Sequence, residues 1–260
     1  MSNNSYQSLD KILIKIDNRK NTLVSLGEIK SNIAIPLNFS LDNYRNFTYD
    51  QGELGSCTAN AFCAAYKIQS NILKKNIGFE PSRLYFYYHE RLLEGTVSED
   101  SGANEIDGNY YTKYYGICSE SSWPYDISKF TIAPPPECDV EALTHKISDY
   151  NVINNDSNLI SNIKKVLYNN NQTVLIAISI YDSFETETVS KSGVVPIPNT
   201  NKETLLGGHE LCLIGYNDTT KLMTVLNSWG SKWGDNGLCY IPYNYLSDPN
   251  LGLEFITINL

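Results

Sequence analysis

Along this chain, apolar positions recur first at helical and then at strand spacing. From Thr58 to about Lys74, Phe62, Ala65, Ile68, Ile72 and Leu73 share one face of a predicted helix. The run SRLYFYYHERLLEG predicts a second helix opened by Ser82 behind Pro81, and GNYYTKYYG a third, shorter one. In DISKFTIAPPPECD the periodicity stops. Pro134, Pro135 and Pro136 can neither continue a helix nor fill a central strand, so this stretch reads as a crossover.

Beyond the prolines, YNVI predicts a strand and DSNLISNIKKVLY a helix capped by Asp156 or Ser157. TVLIAISIY is apolar at successive positions, the pattern of a strand buried on both faces. LCLIGY and KLMTVLNSW predict two more strands turning at GYND, and CYIPYNY and LEFITINL supply the last. The fold class is therefore α+β, with a helical first half and a mostly antiparallel, barrel-like sheet in the second. The organisation suggests a helical lobe over about 50–135 and a barrel-like lobe over about 136–260. Residues 1–33 have no counterpart in that pattern and read as an N-terminal extension; SNIAIPLNFSLDNYRNFTYDQG is an extended, turn-rich lead-in.

Composition narrows the function classes. At 260 residues with 42% hydrophobic content, the chain can bury a large core. A formal net charge of -9 argues against nucleic acid as a partner, because phosphate binding needs a basic stripe; the acidic balance reads instead as a solvated surface. No apolar run is long enough for a membrane span, and the polar start, with only the short KILIKI alternation, does not read as a signal peptide. The six cysteines form no CxxC pair, so no metal site or cofactor is expected. Most thiols are expected to be free, with Cys118 and Cys138 the pair to test for a bridge.

Cys57 stands out because QGELGSCTANAF places it between a glycine-rich loop and the start of a helix. That position lowers a thiol pKa and aims backbone N–H groups at an oxyanion. Gln51, six residues upstream, can fold its amide back beside the thiol as a second donor, with Gly52 and Gly55 permitting the turns. His209 in LLGGHELCLIGY opens a strand and can serve as base, with Gly207 and Gly208 leaving its approach uncluttered. Asn227 in NSWG can accept from the imidazole and orient it without adding charge, and Trp229 can cover that bond.

With these motifs in order, the chain resembles the papain family of cysteine peptidases over about residues 35–260, closer to its bacterial and viral branches than to the typical lysosomal enzymes. The resemblance implies a two-lobe fold with Cys57 on the helical lobe and His209 and Asn227 on the barrel-like lobe. It also implies a cleft for polypeptide substrates cleaved through a thioester acyl-enzyme. Cys57 would be the nucleophile, His209 the general base and acid, Asn227 the orienter and Gln51 the oxyanion donor. Substrate-contacting positions carried over are Ser101, Gly102, Ala177, Gly208, Trp229 and Glu254, the last accommodating a basic side chain at the second subsite. Trp123, Pro124 and Tyr125 resemble a structural turn.

The chain departs from the family pattern at Thr58, where a Trp usually follows the nucleophile, at Gly208, and at Leu54, where a disulfide partner usually stands. The family's long inhibitory propeptide is not expected here, and residues 1–33 are expected to act as a short intramolecular inhibitor. The blander readings are a latent or non-hydrolytic peptide-binding protein whose cleft that segment blocks and, more weakly, thiol-dependent acyl transfer to an amine. Cys63, His89, His145, Trp233 and the run LYFYYHE are expected to be packing residues.

Overall fold

The structure is a computed structural model that describes residues 34–76 and 78–260. The proposed N-terminal inhibitor lies outside the described residues. The first element, β1 (Asn38–Ser40), belongs to the sheet of the second half and pairs antiparallel with β4 (Leu205–Asn217). A Cβ on Gly215 would lie 2.6 Å from the Phe39 carbonyl oxygen, so only a glycine there lets β1 approach. The lead-in segment thus joins the sheet of the second half.

Helix α1 (Cys57–Leu73) begins after Ser56 and ends at Lys74 in the left-handed region. Its periodicity predicts one apolar face, but Thr58–Tyr66 and Ile68–Ser70 are all buried. Small residues explain the difference: Ala59, Ala61, Ala64 and Ala65 let neighbours close in on several sides, so the helix is an axle rather than a surface element. Helix α2 (Arg83–Glu94) is capped as expected, Ser82 accepting from the Tyr85 N–H at 3.1 Å. Helix α3 (Glu105–Tyr115) begins earlier than the tyrosine run predicts, because Asn104 caps it, accepting from the Ile106 N–H at 3.0 Å. Helix α4 (Pro136–Ala142) grows out of the triple proline itself, with Pro136 at its first position, where a missing N–H costs nothing. It packs with the helices before it, Tyr85 donating to Asp139 at 2.8 Å, so the helical part extends to Ala142.

The second half contains β2 (Asp149–Val152), α5 (Leu159–Asn170), β3 (Val174–Tyr181), α6 (Glu187–Ser192), β4 (Leu205–Asn217), β5 (Leu222–Leu226), β6 (Leu238–Pro242), α7 (Tyr243–Ser247) and β7 (Gly252–Asn259). All named strands pair antiparallel in the order β2-β7-β3-β4-β5-β6, with β1 off β4. The outer strands β2 and β6 do not pair with each other, so the sheet is open rather than a closed barrel. Helix α5 starts after Asn158, while Asp156 instead closes a turn by accepting from the Asn158 N–H at 2.7 Å. In β3, Val174–Ile176 are buried on both faces, but Ala177, Ser179 and Tyr181 are half-buried. All six cysteines are free, and the Cys118 and Cys138 thiols are hydrogen-bonded to each other. Among the described residues no helix is long and apolar enough to cross a membrane.

Candidate active site

Two segments meet where α1 begins. The Gln51 N–H donates to the Ser228 carbonyl at 2.8 Å and the Gly230 N–H to the Tyr49 carbonyl at 2.9 Å, a strand-like seam joining the loop before Cys57 to the chain after β5. Asn227 and Gln51 are brought together by that seam. Ser228 completes the link: its N–H donates to Asn227 Oδ1 at 2.8 Å and its hydroxyl to Gln51 Oε1 at 2.6 Å. The loop is held from its other side by Asp100, whose carboxylate oxygens both accept from the Gly55 N–H at 3.0 Å. Where the family pattern would place a disulfide beside this loop, Leu54 is buried and Asp100 supplies a polar tether.

His209, on β4, faces the seam. Its Nε2 lies 2.8 Å from Asn227 Oδ1. Because that oxygen also accepts from the Ser228 N–H, the amide orientation is fixed and the imidazole must donate through Nε2. A neutral ring then carries its lone pair on Nδ1. Trp229 stacks on the imidazole at 5.0 Å and 27°, and Phe184 meets both rings edge-on, with Trp233 stacked on Phe184 at 5.9 Å. This aromatic cover excludes water from the His209 to Asn227 bond, which strengthens it. Burial lowers the His209 pKa to about 4, opposed by the Asn227 hydrogen bond.

Cys57 is the first residue of α1 and half-buried, unlike the other five cysteines, which are buried. Burial pushes its thiol up to about 12, overriding the lowering expected at a helix start, and the Glu210 and Glu90 carboxyls add to the rise. Backbone hydrogen bonds from Glu210, next to His209, and from Thr58 work the other way. Those contacts bring Cys57 to the strand that carries His209. Both groups are therefore neutral at rest. The Gln51 amide, 8% exposed, donates one N–H to the Leu54 carbonyl at 3.0 Å, and its second N–H remains for another acceptor.

The remaining expected positions are distributed around this centre. Gly102 adopts φ +69°, and a Cβ there would lie 3.9 Å from the Gly55 carbonyl oxygen, which sets it against the loop before Cys57. The Ser101 hydroxyl is turned into its own loop, donating to Thr96 Oγ1 and the Gly102 carbonyl. Gly208 is exposed, with nothing within 4 Å of an added Cβ, so the approach beside His209 is open. Ala177 on β3 pairs with Glu210 on β4 and with Glu254 on β7, and directly paired residues share a face of the sheet. Cys63 and the two other histidines are packing residues, His89 stacked on Tyr111 and His145 on Phe79. Tyr125 donates to the Gln51 carbonyl at 3.0 Å, so its turn supports the loop.

The acidic balance predicts a solvated surface, yet Glu90, Glu105 and Glu210 are buried together behind Ala177, with Glu254 beside them. Burial, reinforced by their mutual repulsion, raises all three well above the ordinary carboxylate range. Arg91 opposes the rise only at Glu90 and pairs with none of them, its guanidinium donating to the carbonyls of Tyr87, Val97, Glu99 and Phe130. Among the described residues no group of three or more His, Cys, Asp or Glu could hold a metal ion. Sequence reasoning missed Glu90, Glu105, Glu210, Asp100, Phe184 and Ser228. Ser228 inside NSWG, Glu210 beside His209 in LLGGHELCLIGY, Glu90 at the end of LYFYYHE and Asp100 beside Ser101 stood next to residues already singled out.

The sequence model for the papain family of cysteine proteases matches residues 42–248. The chain belongs to that family. A papain-family relative, an uncharacterised peptidase C1-like protein of Acanthamoeba polyphaga mimivirus, is 40% identical over 211 residues, covering 79% of this chain and 67% of the viral one. Cysteine proteinase 1 of Entamoeba histolytica is 29% identical over 72% of this chain and 57% of its own length. Among solved papain-like structures, xylellain, a cysteine protease from Xylella fastidiosa, superposes with a TM-score of 0.79 at 33% identity, covering 87% of each chain. Procathepsin B of Trypanosoma congolense shares the fold at a TM-score of 0.73 and 17% identity, over 93% of this chain and 85% of its own. This papain-family protein is thus similar to a viral and a bacterial relative, and neighbours of its fold include precursor forms.

Proposed function

We propose that the chain is a thiol endopeptidase that cleaves polypeptides with Cys57 as nucleophile. The observation that carries this reading is the oriented imidazole, Nε2 held by Asn227 Oδ1 at 2.8 Å, on the strand whose next residue hydrogen-bonds the Cys57 thiol. Because thiol and imidazole rest neutral, the Cys57 proton passes to His209 Nδ1 as the sulfur attacks the carbonyl carbon. The Cys57 N–H at the helix start and the spare Gln51 Nε2 proton receive the oxyanion. The imidazolium returns the proton to the leaving amine, and water, activated by the same ring, hydrolyses the thioester. Asn227 keeps the ring in one tautomer throughout.

Gly102 and Ser101 would pair with substrate backbone on one side, with Gly208 and Trp229 bordering the cleft on the other. Ala177 and Glu254 would line the second subsite, where the Glu254 carboxyl would accommodate a basic side chain. Residues 1–33 would serve as a short intramolecular inhibitor. The test is hydrolysis of fluorogenic dipeptide amides by the full chain, by the chain lacking residues 1–33 and by Cys57→Ala. Turnover that rises on the deletion and vanishes in Cys57→Ala supports the reading. Zero turnover in all three forms would make the protein a peptide binder instead.

A further inference from the structure

Between α2, α3 and α4 lies a cavity of about 280 Å³ that shares no residue with the constellation around Cys57. Tyr85, Tyr111 and Tyr115 form its walls, Val140 and Leu143 its exposed rim, and Asp139 is its one charged group. The volume equals that of about nine waters at ~30 Å³ each, room for one ring and a short chain. The tyrosines recur at this face because Tyr111 and Tyr115 stand one helical turn apart on α3, opposite Tyr85 on α2.

Asp139, its side chain 56% exposed, has no cationic partner among the described residues. Its Oδ1 accepts from the Tyr85 hydroxyl at 2.8 Å and lies 3.8 Å from His89 Nε2. Burial lowers the His89 pKa to about 4, so that ring is neutral in ordinary solution and cannot serve as the counter-ion. No lysine or arginine lies within ion-pairing distance of Asp139 among the described residues. Aromatic faces attract a cation through the negative centre of the ring, a carboxylate attracts it by charge, and the aliphatic rim covers an apolar body. An anion would be repelled there, and a neutral apolar ligand would draw nothing from the carboxylate.

We propose that this cavity binds a small organic monocation, an ammonium group on a flat apolar body, with the ammonium at Asp139 against the tyrosine faces and the body under Val140 and Leu143. Calorimetric titration of the full chain with tyramine and with para-ethylphenol, which keeps the ring but lacks the ammonium, tests it. Tyramine should bind saturably at one site. Para-ethylphenol should bind about tenfold more weakly, and Asp139→Asn should weaken tyramine by about the same factor, as loss of one half-exposed charge contact would. Leu143→Trp, at a rim position 55% exposed, should block the cavity without disturbing the fold and abolish binding. No saturable binding at millimolar tyramine, equal affinity for both probes, or unchanged binding in both variants would overturn the site. Tighter binding of a lysine-containing peptide than of tyramine would assign the cavity to a protein partner and overturn the small-molecule reading.

Discussion

Neighbouring residues on β4 sit in two buried polar networks of opposite kind. His209 is part of a connected one: imidazole to Asn227, Asn227 to Ser228, Ser228 to Gln51, with aromatic rings over the top and only Asn227 Nδ2 left without a partner among the described residues. Glu210 belongs to an unsatisfied one, in which Glu90 Oε1, Glu105 Oε2 and Asn109 Oδ1 are buried without a hydrogen-bond partner among the described residues. The first network is connected donor to acceptor and so fixes geometry, which is what the proposed base and oxyanion donor need. The second holds carboxyls that shed their charge instead of pairing it, which is what burial without a counter-ion imposes. One strand therefore presents a positioning device and a proton reservoir side by side.

The comparison can be broken at several points. Cys57→Ala should reduce kcat/KM on a dipeptide amide on the order of 10⁴-fold or more while leaving the melting temperature near that of the parent, since only the connected side is touched. Gln51→Ala should lower kcat by about 10²- to 10³-fold with KM little changed, as the proposed role of its amide at the oxyanion requires. Ser228→Ala should cost about fivefold in kcat, roughly 1 kcal/mol, through one lost hydroxyl bond that orients Gln51. Equal losses in Ser228→Ala and Gln51→Ala would mean that the network acts as a unit.

Titration separates the two sides by sign. The His209 pKa lies below its usual value, so the neutral base persists on acidification and the acid limb of kcat/KM should fall near pH 4. Its contribution to stability is complete above pH 6.5 and is lost as pH falls towards 4. Glu210 is raised, so its effect runs the other way: above about pH 4.5 the unfolded chain releases a proton that the folded chain retains, and stability falls as pH rises. E210Q removes that term. The melting temperature of E210Q relative to the parent should climb from pH 5 to pH 8, by up to ~1.4 kcal/mol of stability per pH unit. A difference independent of pH would contradict a buried, proton-holding carboxyl.

The two networks were not equally legible in the sequence. Gln51, Cys57, His209 and Asn227 lie in short motifs whose chemistry each residue type announces, and the strands bearing them show in the apolar runs. The carboxyl cluster was hidden because Glu90 and Glu105 stand in helices where an acidic residue ordinarily faces solvent, and only tertiary packing puts them against Glu210. Phe184, in a short turn after β3, carried no local signal for covering His209. The all-round burial of α1 escaped periodicity because alanines pack on any face. Helix α4 escaped because three prolines read as a break, although proline at a first helical turn starts one.

The central claim is that this constellation makes Cys57 the one activated thiol among six. Treating the protein with sub-stoichiometric iodoacetamide and mapping the modified peptides by mass spectrometry tests it directly, in the parent and in Asn227→Ala. The account predicts that Cys57 is alkylated before all others, and more slowly once Asn227 no longer orients His209. Modification of Cys63 or Cys118 ahead of Cys57, or an unchanged Cys57 rate in Asn227→Ala, would contradict it.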